Sequence, residues 1–170
     1  MGHPFSLDES RRSGFTFIEV MLVVSVVMIL ATMAIQSLLR SRTTTSESTV
    51  IANMRTVANA VEMYRSANQS YPDDWQADLY TDADPDYGPP AFNVSMSNST
   101  LQGYTYTYTS LPGGRTTACS DYTLSSIPQT LGNTGSRAFF VDRTGVIRHC
   151  TGAGPADASD APMHLAPTVC

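Results

Sequence analysis

A predominantly apolar stretch runs without interruption from Phe15 to Leu39, near the start of the chain. Its 25 residues contain one charged residue, Glu19, and neither glycine nor proline. A membrane-spanning helix needs about 20 apolar residues, so this stretch is long enough to cross a bilayer. Arg11 and Arg12 precede it, and such charges keep the N-terminus in the cytoplasm. The pattern predicts one membrane-spanning helix, with the rest of the chain on the far side of the membrane.

A narrower apolar pattern follows. Large apolar residues recur every three or four positions, at Val50, Met54, Val57, Val61 and Tyr64. This spacing places them on one face of an amphipathic helix. No helix breaker occurs before Pro72, so we expect one helix over residues 15–68, about 80 Å long at about 1.5 Å per residue. Helix propensity is lowest at residues 43–46, where a bend is most easily accommodated.

The second half of the chain has the short alternating pattern of β-strands. Residues 104–109 alternate tyrosine with threonine, which predicts a tyrosine face that packs rather than binds a ligand. Turns are predicted at residues 112–114 and 142–145. The four predicted strands are residues 104–109, 122–127, 138–141 and 146–148. Strands joined by tight turns form an antiparallel sheet, and the apolar stripe of the helix is available to cover it. The predicted fold class is α+β.

Two segments lack a regular pattern. Residues 72–102 predict a long acidic connection, and Asp82, Asp84 and Asp86 alternate there as in half of a calcium loop. The segment departs from that loop by Pro85, by Tyr87 and by Asn93 at the closing position, which favours solvated turn acids over a metal site. Residues 151–170 are rich in alanine, proline, glycine and aspartate, and we expect them to be mobile unless they are tied down.

Gly14 and Glu19 do not fit a plain membrane anchor. A carboxylate within an apolar segment is costly and indicates a function, and Gly14 precedes the apolar stretch, whereas an ordinary signal is cleaved after it. Together, Gly14-Phe15-Thr16-Phe17-Ile18-Glu19 resembles the processing signature of type IV pilins and type II secretion pseudopilins. The direct resemblance covers residues 11–72. The resemblance implies a long N-terminal helix on a four-stranded sheet.

The resemblance also implies what happens at these residues. A prepilin peptidase would cleave after Gly14 and methylate the new amine of Phe15. Glu19 would pair with the Phe15 amine of a neighbouring subunit, because a charge buried in apolar surroundings needs a partner. Two alternatives remain for Glu19. It lies four residues from Phe15 and so within reach of its own amine, and it could instead stabilise the N-terminus of its own helix.

Three cysteines in an exported chain indicate one disulfide and one free thiol. In a meander, Cys119 and Cys150 would lie at opposite ends of the sheet, which favours a disulfide between Cys150 and Cys170. That pairing also matches the disulfide-closed C-terminal loop of many type IV pilins. A bond between Cys119 and Cys170 remains the alternative.

Composition excludes several function classes. Every cationic side chain is arginine, and removal of residues 1–14 leaves the formal charge at −5, which argues against nucleic-acid binding by a single subunit. His3, His149 and His164 show no metal-ligand spacing. We find no catalytic constellation, so we predict a protein that is not an enzyme and has no cofactor and no metal site.

These observations predict three parts: a leader at 1–14, a membrane or filament-core helix at 15–39, and a globular domain at 40–170. Within that domain we expect the connection at 72–102, the sheet at 103–149 and a C-terminal loop at 150–170. The resemblance implies insertion in the bacterial inner membrane, and then assembly with copies of itself or other pilins into an extracellular pilus or a periplasmic pseudopilus. The assembly machinery of the inner membrane would be a further partner. We favour a type IV pilin over a pseudopilin. A secreted or anchored binding domain, cleaved after Ala34, is the alternative from another class.

Overall fold

The computed structural model of the chain describes residues 14–112 and 118–170. The first 13 residues of the predicted leader, and two residues of the predicted turn at 112–114, lie outside the described residues. The described residues divide into two compact units, the first ending at Leu38 and the second beginning at Leu39. The N-terminal helix contributes residues to both.

Helix α1, Phe17–Asn68, confirms the predicted single helix to within two residues at its start. Serine and threonine side chains in its middle donate to backbone carbonyls three or four residues earlier, as Thr43 does to Arg40 at 2.9 Å. Such bonds compete weakly with helical ones, yet the helix continues through them. It ends at Asn68, and the next residue, Gln69, has a φ of 59°, the left-handed conformation common after the last helical residue.

The predicted apolar stripe packs as expected in the second unit. Val50, Met54, Val57 and Val61 are fully buried, and Tyr64 is partly buried. They share one core with the tyrosine face of the sheet, where Tyr104 and Tyr106 are fully buried and Tyr108 is partly buried. Full burial of each large apolar side chain stabilises the fold by about 1.5–3 kcal/mol. The packing role predicted for the tyrosines is therefore confirmed.

The sheet is antiparallel except for its last strand and is larger than predicted. Its strands are β1 Ser97–Leu101, β2 Tyr104–Pro112, β3 Cys119–Pro128, β4 Arg137–Asp142, β5 Arg148–Thr151, β6 Ala161–Pro162 and β7 Thr168–Val169. Strands β1 to β6 are neighbours in chain order, and β7 pairs in parallel with β5. The four predicted strands correspond to β2–β5, and three strands were missed.

Two sequence expectations need correction. The connection at 72–102 contains a π-helical turn at Ala77–Thr81, a 3₁₀ turn at Pro90–Phe92 and strand β1. Strand β1 escaped prediction because Ser97–Leu101 is mostly polar. The strand expected at residues 146–148 instead runs over Arg148–Thr151, because the antiparallel pairing of β4 with β5 begins opposite Phe140.

The C-terminal segment is tied to the sheet. Strands β6 and β7 both pair with β5, and Cys150 is bonded to Cys170. Ala156 joins Ala138, Phe140 and Cys150 in a second, smaller core. Strand β4 is therefore buried on both faces, which explains why its sequence is apolar without alternation.

Candidate processing and assembly site

The junction between Gly14 and Phe15 lies just before α1, in backbone without regular structure. Phe15 is 84% exposed. Thr16 caps the helix, because its hydroxyl oxygen accepts a hydrogen bond from the Glu19 amide at 3.3 Å, as expected of an N-cap residue. An exposed, non-helical peptide bond is accessible to a peptidase.

Local packing among the described residues does not require glycine at position 14. A Cβ atom built on Gly14 meets no heavy atom of the described residues within 4 Å, and its φ lies outside the left-handed region. Nothing in the described structure thus requires glycine at this position.

Glu19 is in the first turn of α1 and is exposed. Among the residues that the structure describes, its carboxylate accepts no hydrogen bond, although its backbone amide donates to Thr16. The helix dipole favours a negative charge at this end. The carboxylate is therefore compatible with its own helix and remains open to a cationic partner.

One side of the helix start forms a shallow apolar groove of about 310 Å³. Glu19 is the only charged residue in its lining, which is Phe15, Glu19, Val20, Val23 and Val24. The residues recur at helical spacing and so lie on one face. A carboxylate at the rim of an apolar groove suits an apolar ligand with a positive group.

The apolar part of α1 is not covered by any of the residues that the structure describes. Large apolar residues from Phe15 to Leu39 are about half exposed or more, and the helix is long and apolar enough to cross a membrane by length and composition. A contiguous apolar surface of this size is typical of a membrane or protein contact.

The predicted disulfide joins Cys150 to Cys170, across a separation of 20 residues. Cys119 is buried and free. The alternative pairing of Cys119 with Cys170 is excluded by this bond.

The structure does not bring the aspartates and histidines considered as metal ligands together in its described residues. Within residues 14–112 and 118–170, no group of three or more His, Cys, Asp or Glu side chains is placed to hold a metal ion. Asp82, Asp84 and Asp86 are exposed. His149 is buried beside Met163, at 2.9 Å from Nδ1 to Sδ, and burial together with the charge of Arg137 lowers its pKa.

A buried ion pair was missed in the sequence. The Glu47 carboxylate accepts hydrogen bonds from the backbone amide and hydroxyl of Ser136, each at 2.8 Å, and from Arg137. The Arg137 Nη2 atom lies 2.6 Å from Glu47 Oε2. The spacing carried a signal, because Glu47 lies three residues before Val50 and so extends the apolar stripe. A carboxylate on a buried face predicts a buried partner.

Comparisons with known proteins agree with the geometry of the helix start. A family model described as the prokaryotic N-terminal methylation motif matches residues 10–35. The chain is 30% identical over 66 residues to the type II secretion system core protein G of Aeromonas hydrophila, which is 39% of this chain and 46% of that protein. The match thus spans less than half of that relative. No solved structure matches the chain. The chain is thus similar to type IV pilins and type II secretion pseudopilins in its N-terminal motif and in its helix-on-sheet architecture.

Proposed function

We propose that this chain is a structural subunit of a pilin-like filament. A prepilin peptidase cleaves it after Gly14 and methylates the amine of Phe15. Before assembly, its apolar helix anchors the subunit in the inner membrane. During assembly, this helix leaves the lipid and packs against the equivalent helices of other subunits in a pilus or pseudopilus. Its role is structural rather than catalytic.

The observation that carries this proposal is an exposed, non-helical Gly14–Phe15 bond directly before an uncovered apolar helix. The methylation motif matched at residues 10–35 supports it.

Mass spectrometry of the N-terminal peptide from native membranes or sheared filaments tests the processing step. We expect a peptide that begins at Phe15 and carries one added methyl group. A peptide that begins near Ile35 would instead identify an ordinary exported domain and would overturn the proposal.

Glu19 has the proposed role of pairing with the Phe15 amine of a neighbouring subunit. Its carboxylate is exposed beside an apolar groove, and transfer of both charges out of water favours their pairing. Glu19→Ala and Glu19→Gln should leave processing intact and reduce filament yield or disturb its register. Ser25→Ala is the matched control, because Ser25 lies in the same apolar segment and bonds only to the Leu22 carbonyl. Normal filaments from both Glu19 variants would refute the pairing.

Two filament types remain to be separated. The disulfide-closed C-terminal segment favours a type IV pilus, whereas the similarity to a core protein of a type II secretion system favours a pseudopilus. Deletion of the gene in its own host distinguishes them. Loss of sheared surface filaments identifies a pilus subunit, and accumulation of exported proteins in the periplasm identifies a pseudopilus subunit.

A further inference from the structure

The distribution of unpaired charge in the second unit is uneven. The structure describes seven arginines, and four of them have partners within the chain. Arg65, Arg137 and Arg143 form ion pairs, and Arg148 donates to the carbonyl of Asp160. The remaining arginines, Arg40, Arg42 and Arg55, are exposed on α1 without an ion pair to any described residue.

The aspartates divide in the same way. Seven of the ten aspartates that the structure describes hydrogen-bond through their side chains to other described residues. The exceptions are Asp82, Asp84 and Asp86, which are exposed and have no such bond. We call them the acidic loop. The other seven each hold a turn or a contact in place, so these three are the described aspartates whose side chains make no hydrogen bond within the fold.

Two of the free arginines, Arg40 and Arg42, lie far from the acidic loop along α1. The acidic loop is held beside the C-terminal end of the helix, because Tyr87 packs edge-on against Tyr64 with ring centroids 5.5 Å apart. Arg42 precedes Tyr64 by 22 residues, which is about 33 Å of helix. No arginine side chain spans that distance, so Arg40 and Arg42 cannot neutralise the acidic loop of their own chain. Arg55 precedes Tyr64 by only nine residues and is therefore not part of this argument.

We propose that Arg40 and Arg42 of one subunit pair with the acidic loop of another copy that is displaced along the same axis. This inference rests on the proposed filament function. A contact between the basic end of one copy and the acidic end of the next is heterologous, and heterologous contacts that do not close into a ring repeat into open filaments. The pairing also relieves the repulsion between acidic subunits that each carry a formal charge of −5.

Charge reversal tests the pairing in the native host. Each exposed ion pair changes an equilibrium by about 1.4- to 5-fold, so Arg40→Glu with Arg42→Glu should lower filament yield by about 2- to 30-fold. The control is Arg55→Glu with Arg143→Glu, which makes the same change of net charge at two other exposed sites and also removes the exposed pair of Arg143 with Asp121. Added Asp84→Arg and Asp86→Arg should restore the yield of the first variant. We expect the wild-type yield to fall as salt is raised, because exposed pairs are screened over about 8–10 Å.

Crosslinking tests the geometry directly. A variant with both Arg42→Cys and Asp84→Cys, treated with a bismaleimide in sheared filaments, should give a ladder of oligomers. Either single substitution should give no ladder. A crosslinked product limited to dimers would indicate an antiparallel pair and would overturn the head-to-tail contact. In the charge-reversal experiment, two results would also overturn it: equal filament yields from the reversed and control variants, or no recovery of yield when the aspartates are changed to arginine.

The outcomes separate this inference from the proposed function. If wild-type filaments contain a chain that begins at Phe15, but the charge-reversed variants give the same filament yield as the wild type, the inference alone would be overturned. Filaments that lack such a chain would overturn both.

Discussion

Replacement of Glu47 by alanine should destabilise the second unit more than the loss of any other charged side chain of α1. Glu47 is 6% exposed, and its removal leaves Ser136 and Arg137 without their acceptor. Loss of one partner of a buried pair costs about 3–5 kcal/mol. The Arg137 side chain stays 29% exposed and can be rehydrated, so we expect a loss of about 2–3 kcal/mol in the free energy of unfolding.

The contribution of Glu47 should depend on pH. Burial would raise the pKa of this carboxyl group, but the hydrogen bonds from Ser136 and Arg137 outweigh it and hold the pKa below its usual value of 4.5. A carboxyl group with a lowered pKa in the folded state stabilises the fold above its unfolded pKa. This stability is lost as pH falls through the folded pKa. The difference between wild type and Glu47→Gln should therefore be constant near neutral pH and shrink below about pH 4.5.

Urea unfolding of the full chain in mild detergent measures both effects. The single tryptophan, Trp75, is 4% exposed and donates to the Phe92 carbonyl, so its fluorescence reports the core of the second unit. Glu62→Ala is the control, since Glu62 is also on α1, but its ion pair with Arg65 is about half exposed and its other partner is the Tyr71 hydroxyl, which donates to it at 2.8 Å. We expect a loss of about 1–2 kcal/mol for that control, smaller than the loss for Glu47→Ala. Equal losses for Glu47→Ala and Glu62→Ala would refute the reasoning.

Two further predictions concern the C-terminal half. Cys150→Ser should lower the free energy of unfolding by about 3 kcal/mol in the chain-entropy model and make it insensitive to reductant, whereas Cys119→Ser should keep the reductant sensitivity. Because burial lowers the pKa of His149 from 6.5, the unfolded state takes up a proton first, and wild-type stability should fall as pH drops below about 6.5. In urea titrations, His149→Gln should remove this dependence of the free energy of unfolding on pH. His164→Gln, at an exposed site, should keep it. The reverse result would contradict the burial argument.

Much of the N-terminal half could be predicted because its signals are local. The apolar stretch from Phe15 is long enough for a helix and the stripe from Val50 to Tyr64 follows the helical period, so helix α1 and its buried face were predicted correctly. Gly14, Phe15 and Glu19 lie within six residues, and the structure keeps them together at the start of the helix. The disulfide between Cys150 and Cys170 followed from the order of strands along the chain.

Only the tertiary structure decided the contacts between distant segments. The ion pair of Glu47 with Arg137 joins residues 90 positions apart, and no local pattern encodes such a pairing. Strand β1 is polar and becomes a strand because β2 offers it a free edge. The C-terminal segment has too little apolar surface to order itself, but strand β5 and Cys150 hold it against the second face of the sheet. Local periodicity thus determined the elements, while backbone pairing and the burial of charge determined how they meet.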